Sequence, residues 1–269
     1  MAMRVSPVTL AHRGGSGPPL VLLHGFLDTW RTWELVLPAL ERRHEVLAPT
    51  LAGHLGGPPL EGAAGEDAVI GAVERAMDDA GFVTAHVAGN SLGGYLALRL
   101  AECGRAESVV ALAPAGGWAA GDESYRELLR LQATMHEQVK AIAPRAQALL
   151  RTPDGRRRAM RFVTERFEHI PADLIAHQIL AVAGAPGALP LIENAMSAEW
   201  TVDAERIECP VRIVWGTEDR LLPWPSAASR YREDWLPNAD WVELDGVGHC
   251  PQLDVPEVTA ALILERTVA

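Results

Sequence analysis

Three residues of this chain have types and settings suited to nucleophilic chemistry: Ser91, Asp219 and His249. Ser91 stands in Gly89-Asn90-Ser91-Leu92-Gly93-Gly94. Before it comes a short apolar run, Ala85 to Ala88; after it Leu92, Tyr95, Leu96 and Leu100 recur at three- and four-residue spacing. The order reads as strand, sharp turn, helix, and small flanking residues are what allow strand and helix to pass closely around a strained turn. The amide of Leu92 opens that helix, so an unpaired N–H and the positive end of the helix dipole face any negative charge developing at the serine. Asp219 follows the apolar run Val211 to Trp215, and His249 follows Trp241 to Leu244 through the glycine-rich Gly246-Val247-Gly248. A hydroxyl, an imidazole and an orienting carboxylate that each leave the same edge of one sheet can meet and attack an electrophilic carbonyl.

The remaining elements must build that sheet. Val5 to His12 alternates in polarity and ends at Arg13-Gly14-Gly15-Ser16-Gly17-Pro18-Pro19, which predicts a first strand closed by a turn into an antiparallel edge hairpin. Leu20 to Leu23 is a fully apolar strand running into His24-Gly25-Phe26-Leu27, where Gly25 lets the backbone turn the amide of Phe26 towards the cleft. His24 is placed to order this loop by hydrogen bonding rather than to act as a base. Helices are expected over Thr32 to Arg42 and over Glu66 to Ala80, with Val69, Ile70, Val73 and Met77 inward; strands over Glu45 to Ala48 and Ser108 to Ala113; and a further helical stretch over Ser226 to Trp235. Strands alternating with helices imply an α/β fold, a mostly parallel sheet covered on both faces.

From Trp118 to Trp200 the pattern becomes helical throughout, punctuated by Pro144, Pro153, Pro171 and Pro186. The chain therefore divides into a core, residues 1–116 and 201–269, and an inserted helical cap, 117–200, expected to roof the strand ends and shape a pocket. The substrate-binding candidates are His24, Gly25, Trp118, Met135, Met160, Phe167, Trp200 and Leu222.

Composition narrows the function. At 269 residues and 48% hydrophobic, the chain buries a full core without a partner. Its net charge of −11, with Arg156 to Arg158 as the one basic tract, excludes nucleic acid, which demands clustered positive charge, and sets up long-range repulsion of anions. The three cysteines, Cys103, Cys209 and Cys250, lack metal-ligand spacing, the nine histidines form no ligand pair, and Gly14-Gly15-Ser16-Gly17 lacks the lysine of a phosphate loop. No metal or cofactor is expected. The N-terminus carries no apolar signal and no run approaches the roughly 20 residues of a membrane span, so a cytoplasmic protein without a membrane partner, acting on a small molecule, is the expectation; oligomeric state stays open.

With Gly89-Asn90-Ser91-Leu92-Gly93-Gly94, His24-Gly25-Phe26, Trp215-Gly216-Thr217-Glu218-Asp219 and Gly248-His249 in the order serine, acid, histidine, the chain resembles the α/β-hydrolase superfamily over essentially its whole length. The resemblance implies an α/β-hydrolase fold with Ser91 as nucleophile, His249 as base and then acid, Asp219 holding the imidazole, and the amides of Phe26 and Leu92 as oxyanion hole. Asp245 and Asp254 are competing acids, with Asp219 favoured by its place after a strand. A serine here sets the chain apart from the dehalogenase and epoxide hydrolase branches, which attack with aspartate at this elbow. One segment departs: where similar members carry Asp-Leu-Pro-Gly-His-Gly after their fourth strand, this chain has Thr50-Leu51-Ala52-Gly53-His54-Leu55. The expected activity is hydrolysis of a small, largely apolar ester, lactone or thioester through an acyl-enzyme. The alternatives are carbon–carbon hydrolysis of vinylogous diketones, which calls for a polar or cationic cap residue such as Arg130, Arg145 or His136, and a ligand-binding receptor that does not turn over.

Overall fold

The computed structural model describes residues 8–267. Seven strands form one sheet: β1 (Ala11–Gly15), β2 (Pro19–Leu23), β3 (Glu45–Pro49), β4 (Ala85–Asn90), β5 (Ala106–Leu112), β6 (Val211–Gly216) and β7 (Asp240–Leu244), in the order β1-β3-β2-β4-β5-β6-β7. All neighbours are parallel except β1 and β3. The central strands are apolar on both faces, as a parallel sheet covered on two sides requires. One face packs Val21, Leu23, Val87 and Val109 against α2 (Glu66–Ala80) and α3 (Leu92–Glu102). The other packs Leu20, Leu22, Val110 and Val214 with Leu40 of α1 (Leu37–Leu40) and Ile263 of α10 (Pro256–Thr267), which follows the short α9 (Pro251–Asp254).

Two expectations need correction. The first strand does not hairpin onto the second. Residues 1–7, including Val5, lie outside the described residues, and β1 runs through Gly14 and Gly15, which the sequence placed in a turn. It pairs antiparallel with β3, Ala11 opposite Pro49 and Gly15 opposite Glu45, because both edges of β2 are occupied by β3 and β4. The glycines serve close passage there: a Cβ on Gly15 would stand 2.2 Å from the carbonyl oxygen of His44. Second, the helix expected over Thr32 to Arg42 is broken into a 3-10 turn, Trp30–Trp33, and α1. Pro38 near the start of α1 lacks the N–H that a continuous helix would need and disfavours helical geometry at the residue before it. By contrast α2 starts and stops where its periodicity does, ending on Gly81 in left-handed geometry.

Between β5 and β6 the chain is helical: α4 (Ser124–Ile142), α5 (Ala146–Leu149), α6 (Pro153–Met160), α7 (Ala172–Gly184) and α8 (Ala188–Ser197). The prolines mark the joints. Pro144 lies in a 3-10 turn and Pro153 opens α6 behind Thr152, whose hydroxyl accepts the Gly155 N–H at 3.1 Å; Pro171 precedes α7. Among the described residues no single helix is long and apolar enough to cross a membrane.

Candidate active site

The turn between β4 and α3 holds Ser91 at φ 56°, ψ −118°, a left-handed-side conformation that an L residue adopts only when its surroundings impose it. They do so through the main chain: the Ser91 amide donates to Leu112 O at 2.9 Å, and the Ser91 carbonyl accepts from Tyr95 and Ala115, each at 3.1 Å. Gly89 and Gly93 make the turn physically available. A Cβ on Gly89 would lie 2.1 Å from Gly93 O, and one on Gly93 2.1 Å from Leu23 O, distances no side chain tolerates.

His249 and Asp219 meet across two loops, Nδ1 to Oδ2 at 2.7 Å, with side chains 5% and 0% exposed, so water does not compete for this bond. The other oxygen of Asp219 accepts from the amides of Leu221 and Leu222 at 2.9 and 2.8 Å. Of the three carboxylates left in play by the sequence, Asp219 is therefore the one bonded to the imidazole. Asp245 is exposed and paired with the Thr217 hydroxyl. Asp254, buried, accepts from three backbone amides: Gly248 (2.7 Å), Glu165 (3.0 Å) and Arg166 (2.7 Å), joining the histidine loop to the insertion.

Asn90, beside the serine, ties the end of β5 to the histidine loop. Its Nδ2 donates to Leu112 O at 3.1 Å and to His249 O at 2.9 Å, while its Oδ1 accepts from Gln252 and from the Cys250 thiol. The residue before the serine thus holds the backbone of the histidine. A buried asparagine ending an apolar strand was the available signal.

His24 is wholly buried. Its Nε2 accepts the Leu51 amide at 2.9 Å, which leaves Nδ1 to carry the proton donated to Gly25 O at 2.7 Å. Burial and then the neighbouring His54 hold its pKa well below the usual value, and burial pushes His54 down to about 4. Both rings are neutral loop fasteners. A Cβ on Gly25 would stand 3.3 Å from Ser91 Cβ, so the start of the following segment lies against the serine. Neither the Phe26 nor the Leu92 amide is spent on a turn or cap hydrogen bond among the described residues.

Further along the same loop, burial pushes Asp28 up to about 6, against the opposing pull of the Thr29 amide and the Thr32 and Gln178 side chains. An acid whose folded pKa is raised binds more protons folded than unfolded between about pH 4 and 6, so this residue removes stability as pH rises through that window and leaves the loss constant above it. Asp28→Asn is expected to stabilise the protein by on the order of 1 to 3 kcal/mol at pH 8 and by clearly less at pH 5, read as urea midpoints at the two pH values. An equal gain at both would show that the carboxyl is not the cause.

Ser91, His249, Phe26 and Leu92 line one cavity, whose empty volume, open mouth included, is about 930 Å³, the upper end of the range of small-molecule sites. Of the proposed substrate contacts, Trp118, Trp200 and Leu222 lie in its wall; the others do not. His24 and Gly25 are behind it in the loop. Met160 and Phe167 are turned into a separate apolar cluster with Ile170, Leu174, Cys250 and Leu253, and Met135 is half-buried on α4 off the cavity. The insertion instead presents Leu128, Leu129 and Gln132 of α4 and Leu191, Ile192 and Asn194 of α8, residues the sequence analysis did not single out. Arg130 and Arg145 are exposed away from the cavity, and His136 is buried on the Val182 carbonyl at 2.7 Å. The acidic side chains in the wall are Glu66 and Glu199, and no lysine or arginine is among the lining residues. Among the described residues no group of three or more His, Cys, Asp or Glu side chains is arranged to hold a metal ion.

A model of the alpha/beta hydrolase family matches residues 20–262. The chain is similar to the epoxide hydrolase EphH of Mycobacterium tuberculosis, 33% identical over 193 residues, 71% of this chain and 89% of the relative. It is also similar to a pimeloyl-acyl-carrier-protein methyl ester esterase of Aromatoleum aromaticum, 29% identical over 262 residues, 91% of this chain and 96% of the relative. Among solved structures, the enol-lactonase of Burkholderia xenovorans superposes with a TM-score of 0.74 at 19% identity over 96% of both chains, a likeness of fold. With the family model spanning nearly all of the sheet and the insertion, the chain belongs to the alpha/beta hydrolase family, and the protein is a hydrolase.

Proposed function

We propose that the protein is a serine hydrolase acting through an acyl-enzyme on small, largely apolar carboxylic esters, lactones or thioesters. The carrying observation is that an imidazole fixed on a buried carboxylate and a serine on a strained elbow face the same apolar cavity. In this reading His249 takes the Ser91 proton as the hydroxyl attacks the carbonyl, the amides of Phe26 and Leu92 stabilise the oxyanion, and His249 returns the proton to the leaving alcohol. Water activated by the same imidazole then releases the acid. Backbone amides carry no counter-charge to neutralise a substrate's own anion, and no lysine or arginine lines the cavity to supply one. The methyl ester esterase among the relatives supports the ester class. Epoxide opening, the activity of another relative, does not fit this site, because Ser91 supplies a hydroxyl where epoxide hydrolases of this superfamily use a carboxylate.

Carbon–carbon hydrolysis of vinylogous diketones is the weaker reading, since Arg130, Arg145 and His136 lie off the cavity. The three unpaired cysteines suit a reducing compartment, and we assign the enzyme to the cytoplasm with a small molecule as its partner. Turnover of a panel of p-nitrophenyl esters, lactones, thioesters, styrene oxide and a vinylogous diketone tests the reading. Short neutral esters should exceed the epoxide and the diketone by at least about ten-fold in kcat/KM. Diketone turnover above that of every ester would replace the ester assignment, and epoxide turnover above that of every ester would replace the acyl-enzyme.

A further inference from the structure

The backbone after β2, which carries the Phe26 amide, is fastened to the insertion at four residues within a stretch of five, Leu27, Asp28, Thr29 and Arg31. Leu27, at φ 63°, packs against Ala185, the residue that follows α7, and Ala188, the first residue of α8. Gln178 Nε2 donates to Asp28 Oδ2 at 3.4 Å, Thr29 Oγ1 and His177 Nε2 are hydrogen-bonded at 2.8 Å, and Arg31 Nη2 donates to Asp173 Oδ2 at 3.5 Å. The Thr29–His177 bond is the most enclosed, each residue being 1% exposed, and a buried polar pair of this kind is costly to separate. The Thr29 hydroxyl also accepts the Arg31 amide at 3.3 Å, capping the 3-10 turn, so the same oxygen fixes both the local backbone and its seat on α7. Within the segment, the turn over 25–28 is closed by one long bond, Asp28 N to Gly25 O at 3.3 Å. His24 Nδ1 holds the same carbonyl from the β2 side at 2.7 Å, while residues 27–29 are seated on the insertion. Burial and nearby Arg31 push His177 down to about 4, so the ring is neutral at ordinary pH.

No residue of α7 is among those lining the cavity; the insertion's helical walls come from α4 and α8, with Trp118 and Trp200 from its two ends. We propose that α7 is a positioning element of the oxyanion hole and that the Thr29–His177 pair is the joint through which it sets the Phe26 amide, an inference resting on the acyl-enzyme reading above. The insertion is thereby divided. Two of its helices shape what the cavity accepts, and a third holds a transition-state donor without touching substrate. A pre-organised donor loses its value when displaced by a fraction of an ångström, and the loss falls on kcat rather than on ground-state binding.

The test compares Thr29→Val, which keeps the shape and removes the hydroxyl, with Thr29→Ser, which restores it, on p-nitrophenyl butyrate and on an alkyl boronic acid that forms a tetrahedral adduct with the serine. Thr29→Val is expected to lower kcat by about ten- to a hundred-fold, with KM within about two-fold and the order of acyl preference unchanged; boronate affinity should weaken in step, and Thr29→Ser should recover most of both. His177→Leu against His177→Gln carries the same comparison should Thr29→Val fail to fold. A folded Thr29→Val or His177→Leu protein with wild-type kcat and boronate affinity would overturn the joint while leaving the acyl-enzyme reading intact. Turnover by Ser91→Ala would bring down that reading and this inference together.

Discussion

Replacing Ser91 by alanine is expected to lower kcat by about four to six orders of magnitude and to leave the melting temperature within a few degrees of wild type. On the proposed mechanism the chemical loss is that of the attacking oxygen. The structural loss is small because the elbow is held by main-chain bonds, from Ser91 N to Leu112 O and from Tyr95 N and Ala115 N to Ser91 O, none of which involves the hydroxyl. Alanine meets the same backbone strain at φ 56° as serine does. Steady-state turnover of p-nitrophenyl butyrate, paired with circular dichroism and thermal unfolding, checks both halves. Wild-type-like hydrolysis by a contaminant-free variant would remove Ser91 from the mechanism, whereas loss of folding would mean that the hydroxyl has a structural partner.

Asp219→Asn should cost about four orders of magnitude in kcat, through the proton on His249 rather than through geometry. The amides of Leu221 and Leu222 both donate to Oδ1, so an asparagine would place its oxygen there and turn its NH2 group towards Nδ1 of His249. Nδ1 would then accept, Nε2 would carry the proton, and the imidazole could not take one from Ser91. Asp245→Asn provides the comparison. That carboxylate is exposed and bonded to Thr217, and its variant should retain turnover within about three-fold. A larger loss for Asp245→Asn than for Asp219→Asn would reverse the assignment of the acid.

What could be seen in the sequence were features written within a few residues of one another. The serine turn needs glycines at fixed offsets, α2 shows its buried face through Val69, Val73 and Met77, and strands β4 and β6 are apolar runs whose ends locate the turns that carry Ser91 and Asp219. What escaped depends on partners far along the chain. Asn90 and Asp254 act on residues 159 and 88 positions away, and nothing local distinguishes a buried polar anchor from a solvated one. The insertion misled for a related reason. Its helices have more than one apolar surface, and periodicity does not say whether Met160 and Phe167 or Leu129 and Ile192 line the cavity. Pro38 was a visible helix breaker that the apolar pattern around it outweighed.

The grip of Asp254 on three main-chain amides bears on how the insertion can diverge. A carboxylate bound to N–H groups is indifferent to the side chains that those amides carry, so Glu165 and Arg166 can be exchanged for most residue types while the joint between histidine loop and insertion stays closed. Proline, which has no N–H to offer, is the substitution that opens it at either position. The core can therefore receive insertions of unrelated composition and keep its histidine in register, provided that each presents two consecutive free amides to the same buried carboxylate.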